Sequence, residues 1–163
     1  MKIGIISDTH NDLDMIKKAV AIFKEQRVDL VVHAGDLTSP KVVELFRDLP
    51  CKFVLGNCDI DSEAISAKAN ELGFGCVENC CDFTAGDKRI LLFHGNDIPL
   101  FRKAVASGKY DYIIKGHTQI FENYRSNTTR IINPGSIYRE DERTISILDT
   151  ESDRVMKIKI DME

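Results

Sequence analysis

Residues 2–10 read Lys2-Ile3-Gly4-Ile5-Ile6-Ser7-Asp8-Thr9-His10, a short apolar strand that stops at a carboxylate and, two residues later, an imidazole. In open α/β sheets, sites form in the crevice at the carboxyl ends of the strands. Side chains two apart in an extended segment point the same way, so Asp8 and His10 can face one ion. The same punctuation recurs four more times: residues 30–32 run into Asp36, 53–55 into Asn57, 90–93 into His94, and 112–114 into His117. Of the four histidines, three stand at these ends. Scattered surface polar residues would not favour that position. The pattern predicts one metal-centred enzyme site assembled from the ends of many strands.

Working outward, residues 3–7, 29–33 and 52–55 read as strands. Between the first two, Met15, Ile16, Ala19, Val20, Ile22 and Phe23 recur at helical spacing from Asp14 to about Lys24, with Asp12 or Asp14 as cap. Ser39-Pro40 signals a second helix start, with Val42, Val43, Leu45 and Phe46 as its buried face and Pro50 closing it. A third helix is expected over 62–72, ended by Gly73 and Gly75. The pattern changes after residue 76. Residues 77–83 and 88–93 read as a hairpin across a three-residue turn, Ala85-Gly86-Asp87. A helix at 100–106 and strands at 112–114, 120–124, 130–132, 144–149 and 155–160 follow. Turn signals at Ser126-Asn127, Asn133-Pro134-Gly135 and Glu151-Ser152-Asp153 separate the late strands. The βαβα start predicts a parallel sheet with helices against it, and the later hairpins predict a second, mixed or antiparallel sheet. Two such sheets face to face, with helices outside, make one α/β sandwich domain over residues 1–163.

The bulk numbers agree with that class. A 163-residue chain has the size of one domain and needs no staple, because it can bury roughly 68–70% of its unfolded surface. Hydrophobic content of 43% and charged content of 29% are those of an ordinary soluble protein. A net charge of −4 argues against a dedicated nucleic-acid surface. Small nucleotides stay compatible, since a metal can supply the positive charge. The apolar run after Lys2 is too short for an export signal, and nothing approaches the ~18 apolar residues of a membrane span. The odd set Cys51, Cys58, Cys76, Cys80 and Cys81 lacks the paired spacing of a structural zinc site and reads as reduced thiols in a cytoplasmic protein. A redox role for the adjacent pair Cys80-Cys81 is the lesser reading.

Gly35-Asp36 and Gly56-Asn57 obey one rule: glycine lets the backbone turn at the strand end, and a short oxygen donor follows. His94-Gly95 and Gly116-His117 add imidazoles beside glycine. Mixed oxygen and nitrogen donors suit Mn²⁺, Fe, Zn²⁺, Co²⁺ or Ni²⁺. Six protein donors exceed what one ion with open positions needs, and fit two ions ~3.5–4 Å apart that share a carboxylate.

In order, Asp8-Thr9-His10, Gly35-Asp36, Gly56-Asn57-Cys58-Asp59, His94-Gly95, Gly116-His117-Thr118 and Ile132-Asn133-Pro134-Gly135-Ser136 resemble the calcineurin-like metallophosphoesterase superfamily. The likeness runs nearly the full length and is to its small, cap-less phosphodiesterases of the YfcE type. The resemblance implies a four-layer α/β/β/α sandwich of two mixed β-sheets flanked by helices. It also implies a dinuclear centre with Asp8, His10 and a bridging Asp36 on one metal, and Asp36, Asn57, His94 and His117 on the other. Asn57 is further implied as a phosphate contact. A metal-bridging water would attack phosphorus in line, and the metals would neutralise charge growing on the phosphoryl oxygens. The implied cofactors are two divalent ions, Mn²⁺ first, with Ni²⁺, Zn²⁺, Fe²⁺ and Mg²⁺ as alternatives. The implied partner is a small phosphodiester substrate, a nucleotide among the candidates, with a homodimer among the compatible assemblies and no membrane.

Two positions depart from the family pattern. The family motif is Gly-His-x-His, whereas this chain reads Gly116-His117-Thr118-Gln119. An amide oxygen is a weaker donor to Zn-like ions than imidazole and suits harder ions. Either Gln119 ligates the first metal and shifts preference towards Mn²⁺ or Mg²⁺, or that site is weak and the enzyme impaired. Survival of Asp8, His10 and Asp36 favours retained activity. Cys58 stands where many larger relatives carry a histidine that assists the leaving group. A thiol of pKa about 8.5 is a poor substitute, so good leaving groups are expected. Asn11, Asn96 and Asp97 lie beside ligands without an assignable role. His33 reads as a structural residue, or one orienting a ligand by hydrogen bond, rather than as a direct ligand. Asn133 to Ser136 reads as a rigid turn at the site rim, its backbone more important than the Ser136 hydroxyl. The competing function is a catalytically weak or inactive interaction platform resembling the retromer subunit Vps29. A nuclease resembling the larger Mre11-type relatives is disfavoured by the acidic charge, and phosphomonoesters stay open as substrates.

Overall fold

The stretch that follows Met1 becomes the middle of a sheet. In the computed structural model, which describes residues 1–161, β1 (Lys2–Ile6) pairs in parallel with β2 (Leu30–His33) and antiparallel with β9 (Thr144–Asp149). The full order of this five-stranded sheet is β10-β9-β1-β2-β3, with β3 at Cys51–Phe53 and β10 at Arg154–Lys159. A second five-stranded sheet runs β4-β5-β6-β8-β7, from β4 (Cys80–Ala85), β5 (Lys88–Phe93), β6 (Tyr112–Ile114), β7 (Phe121–Ser126) and β8 (Thr129–Pro134). Here β5, β6 and β8 are parallel, and β4 and β7 close the edges antiparallel, so both sheets are mixed.

Alternation along the strands sorts the core into layers. Ile3 and Ile5 of β1 pack with Val32, Ile90, Leu92, Ile114 and Ile132 between the two sheets. Ile6 and Val31 instead face Ile16, Phe23, Val43 and Ile65 on α1 (Leu13–Glu25), α2 (Pro40–Glu44) and α3 (Ser62–Glu71). Phe93 and Ile113 leave the second sheet on its outer side, against Phe101 and Ala104 of α4 (Ile98–Ser107). The result is the expected four-layer α/β/β/α sandwich. Capping carboxylates start the long helices: Asp12 accepts from the Met15 N–H at 3.2 Å, Asp61 from Ala64 and Asp97 from Leu100.

Four local expectations need correction. The hairpin turn is Gly86-Asp87, two residues rather than three, because Ala85 pairs with Lys88. β4 begins only at Cys80, since Glu78 is occupied by a bridge to Val54 at the end of β3. Asn133 and Pro134 are not a turn but the last residues of β8, opposite Glu122 and Phe121. Pro134 is tolerated there because β6 has already ended opposite Ile132, so no neighbour asks for the missing N–H. The chain turns at Gly135, at φ 85°. α4 starts at Ile98, earlier than the expected 100, because the Asp97 cap and Pro99 set its first turn.

Candidate metal centre

Parallel strands deliver their carboxyl ends to one edge, and here the ends of β1, β2 and β3 meet those of β5 and β6. The loop after β1 lies on the loop after β2: Asp8 N–H donates to Gly35 O at 3.0 Å, and the Thr9 and His10 N–H groups both donate to Asp36 O. The loop after β6 is tied in by His117 N–H to Asp8 Oδ2 at 3.1 Å and by Gly116 N–H to His94 O at 2.8 Å. Two glycines make this approach possible. A Cβ on Gly56 would lie 2.1 Å from Asp36 Oδ1, and one on Gly116 would lie 1.9 Å from Ser7 Oγ.

The backbone is strained where the donors sit. Asp8, His10, Asp36, His117 and Gln119 all have φ between 42° and 71°. That left-handed region is uncommon for non-glycine residues and costs of order 1–3 kcal/mol each. Five of the seven expected metal-binding residues share it, which marks a shape maintained for function rather than for stability.

Asp36 is the hub. Its Oδ1 accepts the Cys58 N–H at 2.9 Å, while Oδ2 faces two imidazoles, 3.6 Å from His10 Nε2 and 3.4 Å from His94 Nε2. Burial works to raise its pKa, but His94 and the Cys58 N–H prevail and hold it at about 2. Asp8 is fully buried, and burial pushes its carboxyl up against the opposing hydrogen bond from Ser7 Oγ at 2.6 Å. His94 Nδ1 lies 2.8 Å from Ala34 O, which can only accept, so Nδ1 keeps its proton in either charge state, and the neutral ring, the form that binds a metal, turns its Nε2 lone pair to the site.

Two compact groups of donor atoms result, each within 4.8 Å across: Asp8, Asp36 and His94, all buried, and His10, Asp36 and Cys58, partly exposed. Asp36 belongs to both. The Gln119 amide lies 3.5 Å from His10 Nε2, at the outer group. His117 stands 5.1 Å from the His94 ring, exposed at the inner group. Asn57 is exposed, its amide 3.5 Å from Cys58 Sγ. Asp8 Oδ1 and His94 Nε2 are buried acceptors without a hydrogen-bond partner among the described residues. Buried acceptors left bare cost free energy. Divalent cations held around Asp36 answer both, so the residues present fit a metal centre.

Some residues were missed or misread from sequence. Asp59 is 94% buried, and its two oxygens accept from the N–H groups of Asp36, Gly56 and Thr38 at 2.9, 2.7 and 2.6 Å. It fixes the Asp36 and Asn57 loops, and its place at the end of Gly56-Asn57-Cys58-Asp59 was the available signal. The Ser136 hydroxyl is used after all, donating to Asp8 O at 2.9 Å, while Asn133 Nδ2 donates to Gly116 O and Thr118 Oγ1. His33 orients no ligand side chain. The Gly35 N–H donates to its Nδ1, so its Nε2 proton goes to Thr9 Oγ1 at 3.1 Å, and complete burial lowers its pKa to about 3. Cys58 is kept a neutral thiol by burial and by Asp36.

Residues 1–153 match the calcineurin-like phosphoesterase superfamily domain. A phosphodiesterase of Methanocaldococcus jannaschii is 33% identical over 99% of this chain and 100% of its own length. The solved structure of an archaeal phosphodiesterase superposes with a TM-score of 0.90 at 32% identity, covering 98% of this chain and 100% of that one. Vps29 from Entamoeba histolytica, as a single mutant, shares the fold with a TM-score of 0.70 at 16% identity, covering 99% of this chain and 100% of that one. Among the described residues, no helix is long and apolar enough to cross a membrane.

Proposed function

For a chain that belongs to the calcineurin-like phosphoesterase superfamily, we propose metal-dependent hydrolysis of small phosphodiesters at a dinuclear centre. Asp8, His10, Asp36 and Gln119 would hold one ion, and Asp36, Asn57, His94 and His117 the other, with Asp36 shared. When bound, two divalent ions supply Lewis-acid charge for the phosphoryl oxygens and a water made nucleophilic at neutral pH. The observation that carries this reading is Asp36 Oδ2 between two imidazoles, beside the bare Asp8 Oδ1.

The chain's own residues then have separable tasks. Ala34 O fixes the His94 tautomer, and Ser7 and the His117 N–H fix Asp8. Asp59 holds the turn that presents Asn57, whose exposed amide can meet a phosphate oxygen. Cys58, a neutral thiol, is a weak donor to a departing oxygen, which favours substrates with good leaving groups, activated or nucleotide diesters among them. Gln119 in the outer group favours Mn²⁺ over Zn²⁺. The phosphodiesterase names of the two relatives at 32–33% identity support the reaction class. The five free cysteines support a reducing, cytoplasmic setting.

The experiment strips the protein of metal, reloads it with Mn²⁺, Ni²⁺, Zn²⁺ or Mg²⁺, and assays bis(4-nitrophenyl) phosphate and 4-nitrophenyl phosphate. Turnover of the diester that is strongest with Mn²⁺ and lost in Asn57→Ala is expected. The alternative, an interaction platform, is favoured by Gln119 alone. Absent turnover with every metal, together with activity gained in Gln119→His, would overturn the hydrolase reading of the native chain.

A further inference from the structure

The loops that carry the polar donors also hold large apolar side chains out in water. Ile60, three residues after Asn57, is 94% exposed, and Ile120, three after His117, is 57% exposed. Ile98, four after His94, and Tyr138, two after Ser136, are 50% and 54% exposed. Of the six large hydrophobic side chains most exposed among the described residues, Ile60, Ile120 and Tyr138 lie in these loops and Ile98 opens α4 just after the His94 loop. Leaving such groups in water forgoes their burial.

Tyr138 is the one whose place is fixed. Its N–H donates to Ser136 Oγ at 3.0 Å, and the same hydroxyl donates to Asp8 O at 2.9 Å. Its ring lies 4.7 Å from the His10 ring, tilted by 51°. An aromatic side chain is therefore bolted to the backbone of one donor residue and set beside the side chain of another, with half its surface open. The chain as a whole is acidic, with a net charge of −4, so the rest of a substrate cannot be held by surplus positive charge. The exposed ring beside His10 offers contact instead.

We propose that Tyr138 determines specificity. Its open ring stacks an aryl or nucleobase group on the non-leaving side of the diester. This rests on the hydrolase reading of the same site, and it narrows the substrate class to diesters bearing a flat aromatic substituent. An alkyl diester would meet the same donors but leave the Tyr138 ring bare.

The test compares phenyl 4-nitrophenyl phosphate with methyl 4-nitrophenyl phosphate, which share one leaving group, on the Mn²⁺-loaded protein. In Tyr138→Ala the phenyl-to-methyl ratio of kcat/KM should fall about tenfold, the size of one aromatic stack, and the fall should lie in KM. Tyr138→Phe should keep the native ratio. A ratio that survives Tyr138→Ala, or an equal loss on both substrates, overturns the proposal, because Tyr138 would then only support His10. Calorimetry with phenylphosphonate and methylphosphonate needs no turnover and separates the two readings. A phenyl preference lost in Tyr138→Ala upholds the specificity role even if the protein hydrolyses nothing. No phenyl preference in the native protein overturns that role even if hydrolysis is confirmed.

Discussion

The two donor groups around Asp36 are built differently. The inner one, Asp8, Asp36 and His94, is closed to solvent, and its remaining atoms are tied down by Ser7, Ala34, Cys58 and His117. The outer one, His10, Asp36 and Cys58, is partly open, and His10 is flanked by the tilted Tyr138 ring and the Gln119 amide. A closed group tolerates little change, because each side chain answers several partners. An open group can trade an imidazole for an amide, as at Gln119, and still keep its shape. The departure from the family motif thus falls on the side of the site that can absorb it.

The largest break in this comparison comes from the residue common to both groups. Asp36→Asn should lower diester turnover by more than the ~10–100-fold typical of outer partners, with Mn²⁺ binding weakened in calorimetry. A loss confined to one ion would mean the groups are independent. Asp59→Ala comes next. It touches no donor group directly but leaves three N–H groups unpaired. Metal affinity should drop ~10–100-fold and stability by at least about 2 kcal/mol, read by calorimetry and denaturant titration.

His33, beneath the inner group, gives a pH test. Its folded pKa of about 3 lies below the ordinary value, so its neutral packing contributes full stability above pH about 6.5, and that stability is lost as pH falls towards 3. Between pH 7 and 5 it should cost about 2 kcal/mol, and His33→Gln should flatten that slope in denaturant titrations. The smallest effect belongs to the open side: Gln119→His should tighten Zn²⁺ binding by about tenfold while changing Mn²⁺ binding less.

What was legible in the sequence follows the same division between local and assembled features. Strand ends punctuated by Asp, Asn or His, and helices started by Asp12 and Ser39, are local patterns, so the layered fold could be read and a donor set proposed. Asp59, Ser136 and Asn133 act on N–H, carbonyl and hydroxyl groups 15 to 128 residues away or on a neighbouring turn, and no short motif displays such partners. The left-handed backbone at Asp8, His10 and Asp36 was hidden too, because the sequence places no glycine there. Cys58 looked like a leaving-group position and proves to share space with His10 and Asp36.

The central claim is that Asp36 joins two donor groups into one dinuclear site. Electron paramagnetic resonance of the Mn²⁺-loaded protein, with metal content measured on the same sample, tests it most directly. Two ions per chain with an exchange-coupled signal, collapsing to an uncoupled signal in Asp36→Asn, is the predicted result. A single uncoupled Mn²⁺ per chain in the native protein would contradict it.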